Sequence, residues 1–156
     1  MIKTLIELLK KHNMTISTAE SCTGGLIAKS ITDVSGASDV FGYGFVTYAN
    51  EAKMELLGVW EEALSEYGAV SEPVAVLMSR GARRQSGSDI AVSVTGIAGP
   101  GGGTDEKPVG LVYISLSTKY GTICHKCNFS GTRDEIRNQT RDTAVSMAVG
   151  FLKNLS

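Results

Sequence analysis

Short runs rich in β-branched and aromatic residues alternate along this chain with segments whose apolar residues recur every three or four positions. No other feature restricts the fold as strongly, because strands and helices that interleave in sequence pack as a sheet with helices on its faces. Residues 2–12 read as an amphipathic helix with Ile2, Leu5, Ile6 and Leu9 on one side. A short strand over 15–19 leads into a helix over 25–34, and a second strand over 40–47 follows. Asn50 reads as the N-cap of a helix over 51–57, and Gly68 as the stop of a short helix over 61–67. Ser71 can cap a further helix with Pro73 in its first turn and Val74, Leu77, Met78 and Gly81 on its buried side. An apolar strand over 90–94 precedes the glycine-rich stretch 96–107. Residues 110–116 and 122–129 read as a hairpin around Lys119-Tyr120-Gly121. Thr132 and Glu135 form a capping box for a last helix that buries Ile136, Thr140, Ala144, Met147, Ala148, Phe151 and Leu155. The hairpin adds antiparallel pairing, so the expected class is α/β with a mixed sheet between helical layers. A length of 156 residues without repeats or linkers suits one domain over 1–156.

Basic and acidic residues nearly balance, for a formal net charge of −1. That balance argues against nucleic acid or an anionic membrane as partner. The apolar runs are far shorter than a bilayer span, and the opening MIKTLIELLKKHN has neither a signal-peptide core nor a cleavage site. The expectation is a cytoplasmic protein. Three cysteines give no even disulfide framework. Cys124 and Cys127 form a C-x-x-C pair, but residues three apart on a strand point to opposite faces. A zinc site would also need further ligands, and only Cys22, His12 and His125 remain, so the cysteines read as structural and no metal site is expected.

Three segments carry more glycine and polar residues than a core requires. In TAESCTGG, residues 18–25, Ser21 stands where a strand passes into a helix. The orphan N–H groups and dipole of a helix start stabilise a developing oxyanion. Ser21 is thus a candidate nucleophile, and Cys22, Thr23, Gly24 and Gly25 are candidate substrate contacts through their backbone. The plainer alternative is that Ser21 or Thr23 only caps the helix. In FVTYANEAK, residues 45–53, Tyr48 lies at a strand end and Lys53 in the first turn of a helix. The field at a helix start disfavours a cation and so lowers a lysine pKa. An ordinary lysine, with pKa about 10.4, is less than ~0.1% neutral at pH 7, so a lysine base also needs burial or a nearby cation. The alternative is a solvated surface lysine. Asn50 is a candidate for orienting Lys53 or touching substrate.

The third segment, SVTGIAGPGGG over 93–103, follows a strand and can cradle a phosphate or a planar ring, with Thr95 and Gly96 at its start. It is not a Walker A loop, and Thr104 stands where G-x-G-x-x-G requires its third glycine. The alternative is a flexible surface loop. The two histidines, His12 at a helix end and His125 in a strand, have no natural path to Ser21, which argues against a Ser-His-Asp triad.

Together, TAESCTGG, GFVTYANEAK, GAVSEPVA and SVTGIAGPGGGTDEKPVG, in this order, resemble the C-terminal domain of competence-damage-inducible protein A (CinA) from about residue 15 through the last helix. Stand-alone members of that family are nicotinamide-nucleotide amidases, and the chain is similar to that form, without the N-terminal molybdopterin-binding-like domain of many relatives. The resemblance implies a three-layer α/β/α fold, a homodimer, no metal or organic cofactor, and amide hydrolysis of a serine–lysine type. It matches Ser21 to the family's AES serine, Tyr48 and Lys53 to its TY-x-N-x-x-K motif, and Thr95 to its TGIAGP threonine, so that Ser21, Lys53 and Tyr48 are the expected catalytic residues, Lys53 taking the Ser21 proton directly or through Tyr48. It matches Arg133 and Arg137 to the basic residues after the final SG, one of which would pair with a phosphate. The implied reaction converts nicotinamide mononucleotide, a small nucleotide, to nicotinic acid mononucleotide and ammonia. Two alternatives are a non-catalytic nucleotide-binding or regulatory module and an amidase for another nucleotide or ribosyl amide.

Overall fold

The computed structural model describes residues 1–155. Its elements run α1 (Ile2–Lys11), β1 (Ile16–Glu20), α2 (Leu26–Thr32), β2 (Phe41–Val46), α3 (Asn50–Leu57), α4 (Glu61–Tyr67), α5 (Glu72–Ser86), β3 (Ile90–Gly96), β4 (Leu111–Thr118), β5 (Gly121–Asn128) and α6 (Arg133–Lys153). The five-stranded sheet has the order β2-β1-β3-β4-β5. β1 runs parallel to both its neighbours, and β4 and β5 are antiparallel, so the sheet is mixed as expected.

Alternation along the strands sorts side chains by size. Ile90, Val92 and Val94 of β3 and Val112, Ile114 and Leu116 of β4 pack with α1, α2 and α6 in one large core. The opposite face presents Ala19 and Ala91 to Val74, Met78 and Ala82 of α5, with Leu57 of α3 and Ala63 of α4 beside them. Hydroxyls complete that face: Ser93 donates to the Ala75 carbonyl at 2.6 Å, and Ser79 and Ser115 share a 2.8 Å bond. Small residues let α5 lie close to the sheet, and the buried hydroxyls there find partners. The result is a three-layer α/β/α sandwich, with α1, α2 and α6 on one side and α3, α4 and α5 on the other.

α3 and α5 touch backbone to backbone at Gly81, where an added Cβ would lie 1.9 Å from the Leu57 carbonyl oxygen. A backbone atom cannot step aside, so the helices would have to separate. Alanine gains about 1 kcal/mol of helix propensity over glycine. Against that, we expect Gly81→Ala to lose about 2 kcal/mol or more net from overpacking. Denaturant midpoints check this, and an unchanged midpoint would show that the two helices do not pack this closely.

Two local expectations are corrected. Asn50 does not cap α3: Ala49 holds the N-cap position in extended conformation, and Asn50 is the first helical residue. The extended path out of β2 continues through Tyr48 and Ala49, and the helix begins where the Ala49 carbonyl accepts the Lys53 N–H at 3.2 Å. On α6, Val145, Val149 and Leu152 are buried, whereas Phe151 and Leu155 are only half-buried. Both still pack against the edge of the large core; Phe151 also leans on Tyr120, with ring centroids 6.2 Å apart, and Leu155 falls beyond the helix. The capping expectations at Ser71 and Thr132 hold, since each side chain accepts an N–H three residues on. Cys127 sits opposite Val112 on the α6 side, and Cys124 opposite Ser115 on the α5 side, so the C-x-x-C thiols face opposite layers. Burial pushes the Cys124 thiol up to about 12, which keeps it protonated and unreactive at neutral pH. No helix among the described residues is long and apolar enough to cross a membrane.

Candidate active site

At its C-terminal end β1 sends successive side chains to opposite sides of the sheet, as the two-residue strand period requires. Glu20 points to the α2 side. Its buried carboxylate accepts the Thr23 hydroxyl at 2.6 Å and the Ile27 and Ala28 N–H groups at 2.9 and 3.0 Å. Glu20 therefore caps α2, and neither Ser21 nor Thr23 does. A cap seven and eight residues ahead of the N–H groups it receives leaves no sequence pattern, because caps are read one to three positions away. With Glu20 in that role, the Ser21 hydroxyl is free to face the other layer.

There it meets Lys53, whose Nζ lies 3.1 Å from Ser21 Oγ. Lys53 is 1% exposed, the largest fully buried side chain among the described residues. Nζ also donates to the Thr47 and Tyr48 carbonyls at 2.7 and 3.3 Å. A neutral amine has two N–H donors and one lone pair. Charged, Nζ donates to Ser21 Oγ as a third acceptor; neutral, with both donors on the carbonyls, it would turn its lone pair toward that hydroxyl. Burial lowers the Lys53 pKa below the ordinary lysine value, and the neighbouring Cys22 partly opposes this. The solvated-surface alternative is thus excluded by position.

The remaining expected residues divide. Tyr48, 62% exposed as a residue, supplies its main-chain carbonyl to Lys53, while its phenol oxygen accepts from Arg133 Nη2 at 3.3 Å. Arg133 also donates to the Gly99 carbonyl at 2.8 Å, which ties the start of α6 to the glycine-rich loop. Arg137 instead donates to the Cys22 and Thr23 carbonyls at 3.1 and 2.8 Å. In the turn after Ser21, the Gly24 N–H closes onto the Ser21 carbonyl at 3.1 Å. The N–H groups of Cys22, Thr23 and Gly25 have no partner among the described residues. Thr95 is buried and donates to the Ala69 carbonyl at 2.8 Å. Gly96 is required by packing, because a Cβ there would meet Val112 at 2.6 Å. Asn50 is exposed and makes no hydrogen bond to Lys53.

Burial pushes the Cys22 thiol up to about 11, so the residue beside Ser21 is not a competing nucleophile. His125 lies in β5, separated from β1 by two strands, and His12 ends α1 at the opposite end of β1. Neither reaches Ser21. No cluster of three metal-ligating side chains occurs among the described residues. Glu20 and Thr47 are the contributors that the sequence reading passed over.

The chain that carries this arrangement is similar in sequence and fold to known proteins. The sequence model of the CinA C-terminal domain matches residues 1–152. The chain belongs to the CinA C-terminal domain family. This CinA domain is 61% identical over 149 residues to a CinA-like protein of Desulfovibrio desulfuricans, covering 96% of this chain but 35% of that protein. It is 50% identical over 150 residues to nicotinamide-nucleotide amidohydrolase PncC of Escherichia coli, covering 95% of this chain and 91% of that protein. Competence/damage inducible protein CihA from Agrobacterium tumefaciens has a crystal structure with a TM-score of 0.95 to this one and 44% identity, covering 98% of this chain and 93% of that one. The CinA domain spans about a third of the length of the longer curated relatives it matches, such as 36% of the Acetivibrio thermocellus protein.

Proposed function

We propose that this chain is an amidohydrolase that converts nicotinamide mononucleotide to nicotinic acid mononucleotide and ammonia through Ser21 and Lys53. The observation that carries the reading is the buried amine 3.1 Å from the serine oxygen, both of its other acceptors being carbonyls. The E. coli relative, whose name states nicotinamide-nucleotide amidohydrolase, supports the substrate, since it matches over nearly its whole length.

Neutral Lys53 takes the Ser21 proton as Oγ bonds to the carboxamide carbon, and the carbonyl electrons move to oxygen. Unpartnered N–H groups of the 22–25 turn receive that oxyanion, each such donor contributing about 3 kcal/mol. The Lys53 ammonium returns its proton to the amide nitrogen, the C–N bond breaks, and ammonia leaves an ester on Ser21. Water then attacks the ester, giving up a proton to Lys53, and Ser21 departs reprotonated with release of the acid. Proton transfer is direct, because the Tyr48 phenol lies outside the Lys53–Ser21 contact and toward Arg133. Arg133 is the exposed guanidinium beside the glycine-rich loop and pairs with the phosphate, for which a planar fork is suited. The same reading carries a homodimer working in the cytoplasm, without nucleic-acid or membrane partners.

An ammonia-release screen over nicotinamide, its riboside, its mononucleotide and the dinucleotide tests the substrate. The expected rate is highest on the mononucleotide. Release that peaks on the dinucleotide would require a wider pocket, and calorimetric binding without release would favour a binding module.

A further inference from the structure

Arg137 reaches the Ser21 turn from α6, 115 residues away in sequence at its farther contact. It donates from Nε to the Cys22 carbonyl and from Nη2 to the Thr23 carbonyl. In a trans peptide the carbonyl and the following N–H point oppositely within one rigid plane. Holding the Cys22 carbonyl therefore sets the direction of the Thr23 N–H, and holding the Thr23 carbonyl sets that of Gly24. The Gly24 N–H is already closed onto Ser21, so its plane and that of Ser21 are locked together. The Thr23 N–H is left without a partner among the described residues. Gly24 leaves room for the guanidinium: its φ is +59°, and a Cβ there would lie 3.3 Å from Arg137 Nη2. A cation on a peptide carbonyl also polarises the amide and strengthens its N–H as a donor.

We infer that Arg137 is a positioning residue, which clamps the Cys22 and Thr23 carbonyls so that the turn is held and the free Thr23 N–H stays set for the oxygen of the substrate amide. The role rests on the amidohydrolase reading above. It separates the two arginines that the sequence alone could not tell apart. Arg137 is committed to the backbone of the turn, and Arg133 is left for the phosphate.

The test compares wild type with Arg137→Ala and Arg137→Lys on nicotinamide mononucleotide. For Arg137→Ala we expect kcat to fall about 100-fold with KM little changed, the size of losing one oxyanion donor. Added guanidinium chloride at low, non-denaturing concentration should restore part of that kcat, and ammonium should not. A rise in KM at preserved kcat would overturn the inference, making Arg137 a phosphate ligand. A kcat loss that guanidinium leaves untouched would also overturn it, making Arg137 a mere brace. Arg137→Lys carries the test if the alanine variant does not fold, since lysine retains the charge and one contact.

A readout that needs no turnover keeps this result apart from the substrate proposal. The 15N-resolved amide signals of Thr23 and Gly24 should move in Arg137→Ala and return with guanidinium. Unmoved signals would sink the clamp even in an active enzyme, whereas a wild type inert on every amide would sink the proposed function and leave the amide result standing.

Discussion

Ser21→Ala is expected to reduce turnover of nicotinamide mononucleotide by on the order of 10⁴- to 10⁶-fold, the loss seen when a nucleophile is removed from a covalent hydrolase. The same change should leave stability nearly untouched. Ser21 Oγ does not cap α2, since Glu20 does, so the helix start loses nothing. Lys53 keeps its Thr47 and Tyr48 acceptors when the hydroxyl is gone, so no buried amine is stranded. The measurement pairs an ammonia assay with thermal unfolding of the same sample. A folded variant that turns over at the wild-type rate would remove Ser21 from the mechanism. Trapping of an acyl-enzyme by hydroxylamine, seen in the wild type and lost in the variant, would place the covalent bond on this residue.

Lys53→Met should lower kcat by about 10²- to 10⁴-fold, the usual contribution of a positioned base, with substrate binding retained. The pH dependence follows from the direction of the Lys53 shift. Burial lowers its folded pKa below 10.5, so the wild-type rate climbs with pH as the amine loses its proton through that lowered value. The variant should lack this limb, and an unchanged pH–rate profile would count against Lys53 as the base. Stability carries the same sign. Between the lowered folded pKa and the unfolded value, the unfolded chain binds more protons than the native one, so native stability rises with pH. The wild type should therefore gain on Lys53→Met as pH rises across that window, and denaturant melts at several pH values would show it.

These two residues illustrate what is legible in a sequence. Ser21 stands out because strand, turn and helix patterns converge on it within eight residues of local sequence, TAESCTGG. Lys53 is ordinary by composition, and its burial is a tertiary property, which sets it against Ser21, 32 residues away in sequence. The strand and helix order was readable because periods of two and 3.6 are local properties of the chain. Helix edges were less so. Asn50 has the composition of a cap, yet the extended path out of β2 shifts the helix start by one residue and leaves that side chain in solvent.

The sequence by itself determined the alternation of elements, the mixed sheet, and the motifs that place the chain in its family. Only the tertiary structure decided that Glu20, not a hydroxyl, caps α2, that the Tyr48 phenol stands apart from the amine, and that Arg137 and Arg133 take different partners. The reason is geometric. Backbone hydrogen bonding and apolar periodicity are written within a few residues, whereas these side chains find partners supplied by strand register and by helices that approach from both faces of the sheet.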